Sequence, residues 1–298
     1  MISGYFLYQS EEIKLKKVIL EAIFYGAFST VIGIIVFLVN GLPEYMSVRS
    51  IVWSAFNSLI LPVTNTWWFV PAYILVILIH PSLNRLIHYL YEKGKYYLYI
   101  LGVLLVIWYV FGNIVEERYV FIQQGIMGYC LGAVIHLLSE RHSARKNMIY
   151  NNLIYIVLFF VGWLIISVAN YKIDIHKSMF LETTTIEMLL ENFLLYLIEP
   201  ICSVLLFVLF RNINLKSNKV INTIAETTFG IFLLHDSIFG RIIIWKKIIP
   251  ITEIYLHSNL FPVFVFIIAI MIFLCCAAID LIRENLWIKL IGLNKDES

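Results

Sequence analysis

An all-α, polytopic transmembrane helix bundle of about eight spans is the fold class that this sequence predicts, and three observations predict it. Of 298 residues, 61% are hydrophobic and only 14% charged, with a mean hydropathy of +0.85, which is more apolar surface than one soluble core could hide. The apolar residues gather into eight runs near the roughly 20 residues that a spanning helix needs. The lysines and arginines alternate in abundance between the segments joining those runs, as the positive-inside rule requires. The net charge of +2 leaves no electrostatic footprint for nucleic acid, and the basic residues are spread between spans instead of lying on one face.

In chain order the expected spans are residues 18–39, 67–83, 97–115, 119–138, 150–169, 188–210, 228–245 and 260–282. No basic stretch followed by an apolar one occurs in residues 1–15, so no cleavable signal is expected and the first span must direct insertion. Between the first two spans, residues 51–63 are apolar but too short to cross and end near Pro62. They read as an outer interfacial or re-entrant helix anchored by Trp53. The second span opens on Trp67, Trp68 and Phe69, residue types that sit at membrane interfaces. Such a cluster serves either as an aromatic belt or as a stacking surface for sugar. Gln123 and Gln124 open the fourth span and suit interhelical hydrogen bonds.

Glu187, Glu191 and Glu199 lie in or near the sixth span, with Pro200 directly after Glu199. Proline removes an amide donor and loosens the preceding turn, a feature of helices that line cavities. Asp280 and Arg283 stand three residues apart near the end of the last span and are expected to neutralise each other at the membrane surface. His80, His88, His136 and His142 fall near expected inner helix ends and read as interfacial. Fifteen of the 22 lysines and arginines occupy one alternate set of segments, Lys14, Lys16 and Lys17 among them. That set is cytoplasmic, which places both termini inside. No loop is large enough to form a domain, so residues 1–298 read as one membrane domain. The cysteines, Cys130, Cys202, Cys275 and Cys276, show no metal-ligand or disulfide spacing and read as small buried apolar residues.

The seventh span carries the chemistry. His235 and Asp236 sit side by side within it and Arg241 follows. Ionisable side chains cost about 2.5–3.5 kcal/mol each at the centre of an inserted helix, so they persist where something offsets that cost. Adjacent helix positions point about 100° apart, so a relay between His235 and Asp236 is not expected and the useful partner of His235 is expected from another span. The structural alternative is a neutral imidazole hydrogen-bonded within the bundle. Glu199 is the second candidate for lining a site. No P-loop, nucleophile elbow, dinucleotide fingerprint or zinc-binding His pair is present.

Several strings together resemble the membrane-bound acyltransferase 3 family, in particular its Gram-positive branch acting on exopolysaccharide or capsule. Ile2-Ser-Gly-Tyr-Phe-Leu7 is similar to a motif closing the family's second span. Asn65-Thr-Trp-Trp-Phe-Val-Pro-Ala-Tyr73, running on to His80-Pro-Ser-Leu-Asn84, is similar to its Trp-Phe and Pro-x-x-Asn span. Ile221-Asn-Thr-Ile-Ala-Glu-Thr-Thr-Phe-Gly-Ile-Phe-Leu-Leu-His-Asp236 resembles its Phe-Gly-Val-Tyr-Leu-Ile-His element, and Ile279-Asp-Leu-Ile-Arg283 fits its close.

The resemblance implies an integral O-acyltransferase of the bacterial cytoplasmic membrane, using acyl-CoA, usually acetyl-CoA, as donor and a cell-surface or lipid-linked polysaccharide as acceptor, with no bound cofactor or metal. As ionisable groups inside apolar spans, His235 is the catalytic candidate and Glu199, Asp236 and Arg241 are candidate substrate contacts; beside the resemblance, Lys14, Lys16 and Lys17 are expected to meet the CoA phosphates, and Trp67 and Trp68 the sugar. The resemblance also implies about ten spans, so the chain is expected to lack the family's first one or two. Those carry an Arg and the His regarded as the base. The 298-residue form is therefore expected to be impaired or inactive, and Thr66 stands where many members have His. A transporter or flippase of polysaccharide intermediates, or a non-catalytic membrane subunit, are the other classes the sequence allows; the first usually shows inverted repeats, and none is evident here.

Overall fold

The computed structural model describes residues 1–13, 15–41, 47–60, 67, 69–115, 120–139, 148–178, 185–213, 218–242, 244, 249 and 261–291. Its helices in order are α1 (Ile2–Leu7), α2 (Lys16–Asn40), α3 (Val48–Ile60), α4 (Phe69–Lys93), α5 (Lys95–Val115), α6 (Val120–Ser139), α7 (Met148–Ser178), α8 (Thr185–Asn212), α9 (Lys219–Glu226), α10 (Thr228–His235), α11 (Ile238–Gly240) and α12 (Phe261–Ile291). No strand occurs among the described residues. Among the described residues six helices, α2, α4, α5, α6, α8 and α12, are long and apolar enough to cross a membrane, and α7 carries the shorter apolar stretch Asn152–Ile166. In α8 and α12 only 17% of the most apolar window is buried within the protein. Side chains such as Phe266, Met271 and Leu274 therefore stand outward, as a hydrocarbon solvent permits and water does not.

The chain forms two compact units, residues 1–13 with 72–215 and residues 14–71 with 216–298. In the first, α1 lies on α6, α5 packs on α6 and α8, and α7 packs on α8. Tyr8, Ile87, Leu98, Cys130 and Ala133 make its central cluster. Gly94 connects α4 to α5 at φ 142°, a left-handed value that favours glycine. α4 runs to Lys93, ten residues beyond the expected end of the second span, and does so through Pro81. Proline has no amide proton to give the carbonyl of Ile77 four residues back. His80 Nδ1 donates to that carbonyl at 2.7 Å instead. His80 is fully buried, where the sequence placed it at an interface.

In the second unit α3, α10 and α11 pack on α2, and α10 also packs on α12. α3 falls where the sequence placed a short non-crossing helix, starting three residues earlier. The expected seventh span, 228–245, is not one straight helix: α10 ends at His235, and a turn at Asp236 and Ser237 separates it from α11 and a π-helical continuation at Arg241 and Ile242. Ser237 explains the break. Its hydroxyl donates to Leu234 O at 2.9 Å and accepts the amide of Gly240 at 2.9 Å, giving the chain local partners in place of the helical ladder. A Cβ at Gly240 would run into the carbonyl of Leu234, so a larger residue does not fit this turn. Of the cysteines, Cys275 is exposed and the other three are buried.

Candidate active site

His235 closes α10 in the second unit. Its Nδ1 lies 2.7 Å from the carbonyl of Ile231. A carbonyl only accepts, so Nδ1 carries a proton, and in the neutral form of the ring the lone pair is on Nε2. The bond is to the residue's own helix, so the partner expected from another span is not what orients the ring. The next residue, Asp236, is paired with Arg241 through Nε and Nη2, both at 2.8 Å from Oδ1. Asp236 Oδ2 is buried with no hydrogen-bond partner among the described residues. Helix break, imidazole and ion pair thus fall together within seven residues.

Two strings quoted from distant parts of the sequence meet here. Phe69 packs edge-on against Phe232 at 5.6 Å between ring centroids, and Phe232 packs edge-on against His235 at 6.2 Å. Phe69 therefore lies beside the helix that carries the histidine. Trp67 is 1% exposed and its indole N–H has no partner among the described residues, so its ring faces protein and not the open membrane surface. Trp68 and Lys14 lie outside the described residues. Lys16 is exposed at the start of α2, and Lys17 follows it in the same helix.

Beneath the histidine helix is a polar cluster larger than the expected Asp280–Arg283 pair. Arg283 Nε donates to Asp280 at 2.8 Å and Nη2 to Glu21 Oε1 at 2.9 Å. The hydroxyl of Tyr25 also donates to Asp280, and the guanidinium lies over the Tyr25 ring at 5.2 Å. Asp280 is 1% exposed, which makes this a buried network and not surface neutralisation. Gly230 of α10 packs directly on the Asp280 carboxylate, where any Cβ would collide. Glu21 and Tyr25 were missed from sequence. The available signal was an acid inside an otherwise uncharged apolar span, with a phenol one turn further along.

Glu199 belongs to the first unit. Its Oε2 accepts from Tyr109 Oη at 2.8 Å, and Gln124 Nε2 donates to that hydroxyl at 3.2 Å, as an interhelical role for Gln124 requires. The three side chains line a cavity of about 520 Å³. Glu187 and Glu191 lie on the first turns of α8. His136 Nδ1 donates to Tyr5 O at 2.7 Å and His88 stacks on Tyr8, so these two hold α1 within the protein; His142 lies outside the described residues. Among the described residues no three His, Cys, Asp or Glu side chains converge as a metal site.

The long apolar helices define a polytopic membrane protein, and the particular family follows from comparison. The acyltransferase 3 family model, described as an acyltransferase domain, matches residues 1–281. The chain belongs to this family of membrane acyltransferases. Comparisons with curated proteins and with solved structures give no significant match.

Proposed function

We propose that the protein is an O-acyltransferase of the bacterial cytoplasmic membrane that moves an acyl group, acetyl being the simplest, from acyl-CoA to a sugar hydroxyl of a cell-surface polysaccharide. The observation that carries this reading is the geometry of His235: Nδ1–H is held by Ile231 O, so in the neutral imidazole the Nε2 lone pair, with no hydrogen bond among the described residues, lies beside a helix break. As the sugar oxygen attacks the thioester carbonyl, Nε2 takes the hydroxyl proton. When the tetrahedral intermediate collapses, the C–S bond breaks and the same proton passes to the departing thiolate, leaving ester and free CoA. A positioned base of this kind contributes about 100- to 10,000-fold.

Lys14, Lys16 and Lys17 supply cations for the CoA phosphates at one membrane face. Trp68 offers an aromatic face to the sugar, and Trp67, buried beside it, belongs to the wall behind that face. The Asp236–Arg241 pair fixes charge next to the base and offers the guanidinium to the acceptor.

The test is chromosomal deletion of the gene, followed by complementation with the native chain or His235→Ala, with O-acyl content of the surface polysaccharide read by proton NMR. Loss of ester on deletion, regained with the native chain and not with the variant, is the expected result. Polysaccharide that changes in amount but keeps its ester content would overturn the reading in favour of transport.

A further inference from the structure

We propose that the buried carboxylate of Asp280 is a positioning residue for acyl transfer, the backstop that sets how far forward His235 stands. The inference rests on the reading of His235 as the base. α10 is a rod of eight residues between turns at Thr227 and Asp236, and Thr227 gives it no side-chain cap, so its place depends on what packs against its sides. On one side Gly230 lies directly on Asp280, where a Cβ would meet all three carboxyl atoms. On the other, Phe232 packs against Phe69 at 5.6 Å between ring centroids. At about 100° per residue, Phe232 points about 200° away from Gly230 and His235 about 140°. The rod is therefore held between the carboxylate behind it and Phe69 in front, with the imidazole on the front side. Because Nδ1 of the ring is tied to Ile231 of the same helix, any shift of the rod along that line carries Nε2 with it.

The carboxylate is built to stay still. Tyr25 Oη and Arg283 Nε both donate to Asp280 Oδ1, and Arg283 Nη2 donates to Glu21 at 2.9 Å, so α2 and α12 hold it from two sides. Well-packed apolar residues of similar volume join helices at least as stably as a buried ionic network does. A network whose members satisfy one another adds rigidity and one fixed geometry, which is what a stop requires. Gly230 then lets the rod rest against it. Ordinary contact begins near 3.4 Å, so a methyl group at this position drives α10 and Asp280 apart by roughly 1 Å. A misplacement of about 1 Å at a reacting group costs about 100-fold in rate.

The test uses membranes of the deletion strain that carry the full chain and their own acceptor. Transfer from radiolabelled acetyl-CoA is measured at equal amounts of protein, with maximal rate and KM for acetyl-CoA read separately. Gly230→Ala, which pushes the rod forward, and Asp280→Ala, which removes the stop, should each lower the maximal rate about 100-fold and leave KM within about twofold. The double variant puts a methyl group into the vacated space and should return to within about tenfold of the native rate. Asp280→Asn keeps the shape and an oxygen for Tyr25 and Arg283, and should retain about a third of the native rate or more. A role in stability alone gives the opposite order, with the double variant the slowest of the set. A double variant no faster than the slower single, native rates in both singles, or Asp280→Asn as slow as Asp280→Ala overturns the assignment and leaves His235 as the base. A native rate in His235→Ala overturns the acyl-transfer reading itself, and the assignment with it.

Discussion

Arg283 sits between two carboxylates, Glu21 and Asp280, with 14% of its side chain exposed. Breaking one partner out of a buried ion pair strands the remaining charge, at a cost of about 3–5 kcal/mol. Arg283→Met should therefore lower the melting temperature of the detergent-solubilised protein sharply, because two acids lose their cation at once. Gly230→Ala should do the same without touching a charge, since its methyl group must displace the Asp280 carboxylate. If Gly230→Ala melts like the native chain, the close approach of α10 to Asp280 is not as described. Asp280 and Arg283 were legible as a pair from their spacing. That they are buried was not, because burial depends on Glu21, Tyr25 and Gly230, which arrive from helices some 50 and 260 residues away in the chain.

At the scale of elements, α1 is held by close approach and by its frayed end. A Cβ at Gly4 would meet the backbone of Tyr129, and one at Gly132 the carbonyl of Met1, so two glycines let a six-residue helix lie on α6 with its backbone against that of the longer helix. Asn84 then satisfies two carbonyls at the end of α1, donating to Leu7 O at 2.9 Å and Ser10 O at 3.0 Å, while its own oxygen accepts from Tyr129 at 2.8 Å. Asn84→Ala should cost about 1–3 kcal/mol through the orphaned groups and raise amide exchange in residues 2–10 more than elsewhere. Uniform exchange along the chain would remove this role. Hydropathy found the long helices because each is a run of apolar residues, but it could not find α1, which is too short, nor the interruption at Asp236 and Ser237. A window average sees Leu234 and Ile238 on either side of that turn. It does not see that Ser237 bonds Leu234 O and the Gly240 amide. His235 was legible as a lone ionisable group in an apolar run, whereas its tautomer and its nearness to Phe69 through Phe232 depended on coordinates.

At the scale of the molecule, the interruption raises the question whether residues 228–242 still traverse the bilayer, since the eight residues of α10 span only about 12 Å of a hydrocarbon core near 30 Å. Contacts within the second unit answer it. Gly230 packs on Asp280, which is bonded to Tyr25 of α2, whereas Phe239 packs on Gly33 and clusters with Phe37. Between these contacts the chain advances nine residues while its neighbours on α2 advance eight to twelve, about 12–18 Å along that helix. The turn therefore bends the segment without reversing it, and it climbs alongside α2 in the same direction. α12 runs the opposite way, because Asp280 meets Tyr25 and Arg283 meets Glu21, one turn earlier in α2. The start of α2, the start of α9 and the end of α12 accordingly share one face, which the excess of lysine and arginine predicts to be the cytoplasmic one. On a background without native cysteines, Lys16→Cys, Lys219→Cys and Asn285→Cys should react with an impermeant maleimide only after cells are opened, and Arg49→Cys should react in intact cells. Labelling of Asn285→Cys from outside, with Lys219→Cys still protected, would mean that residues 228–242 enter and leave on the same side.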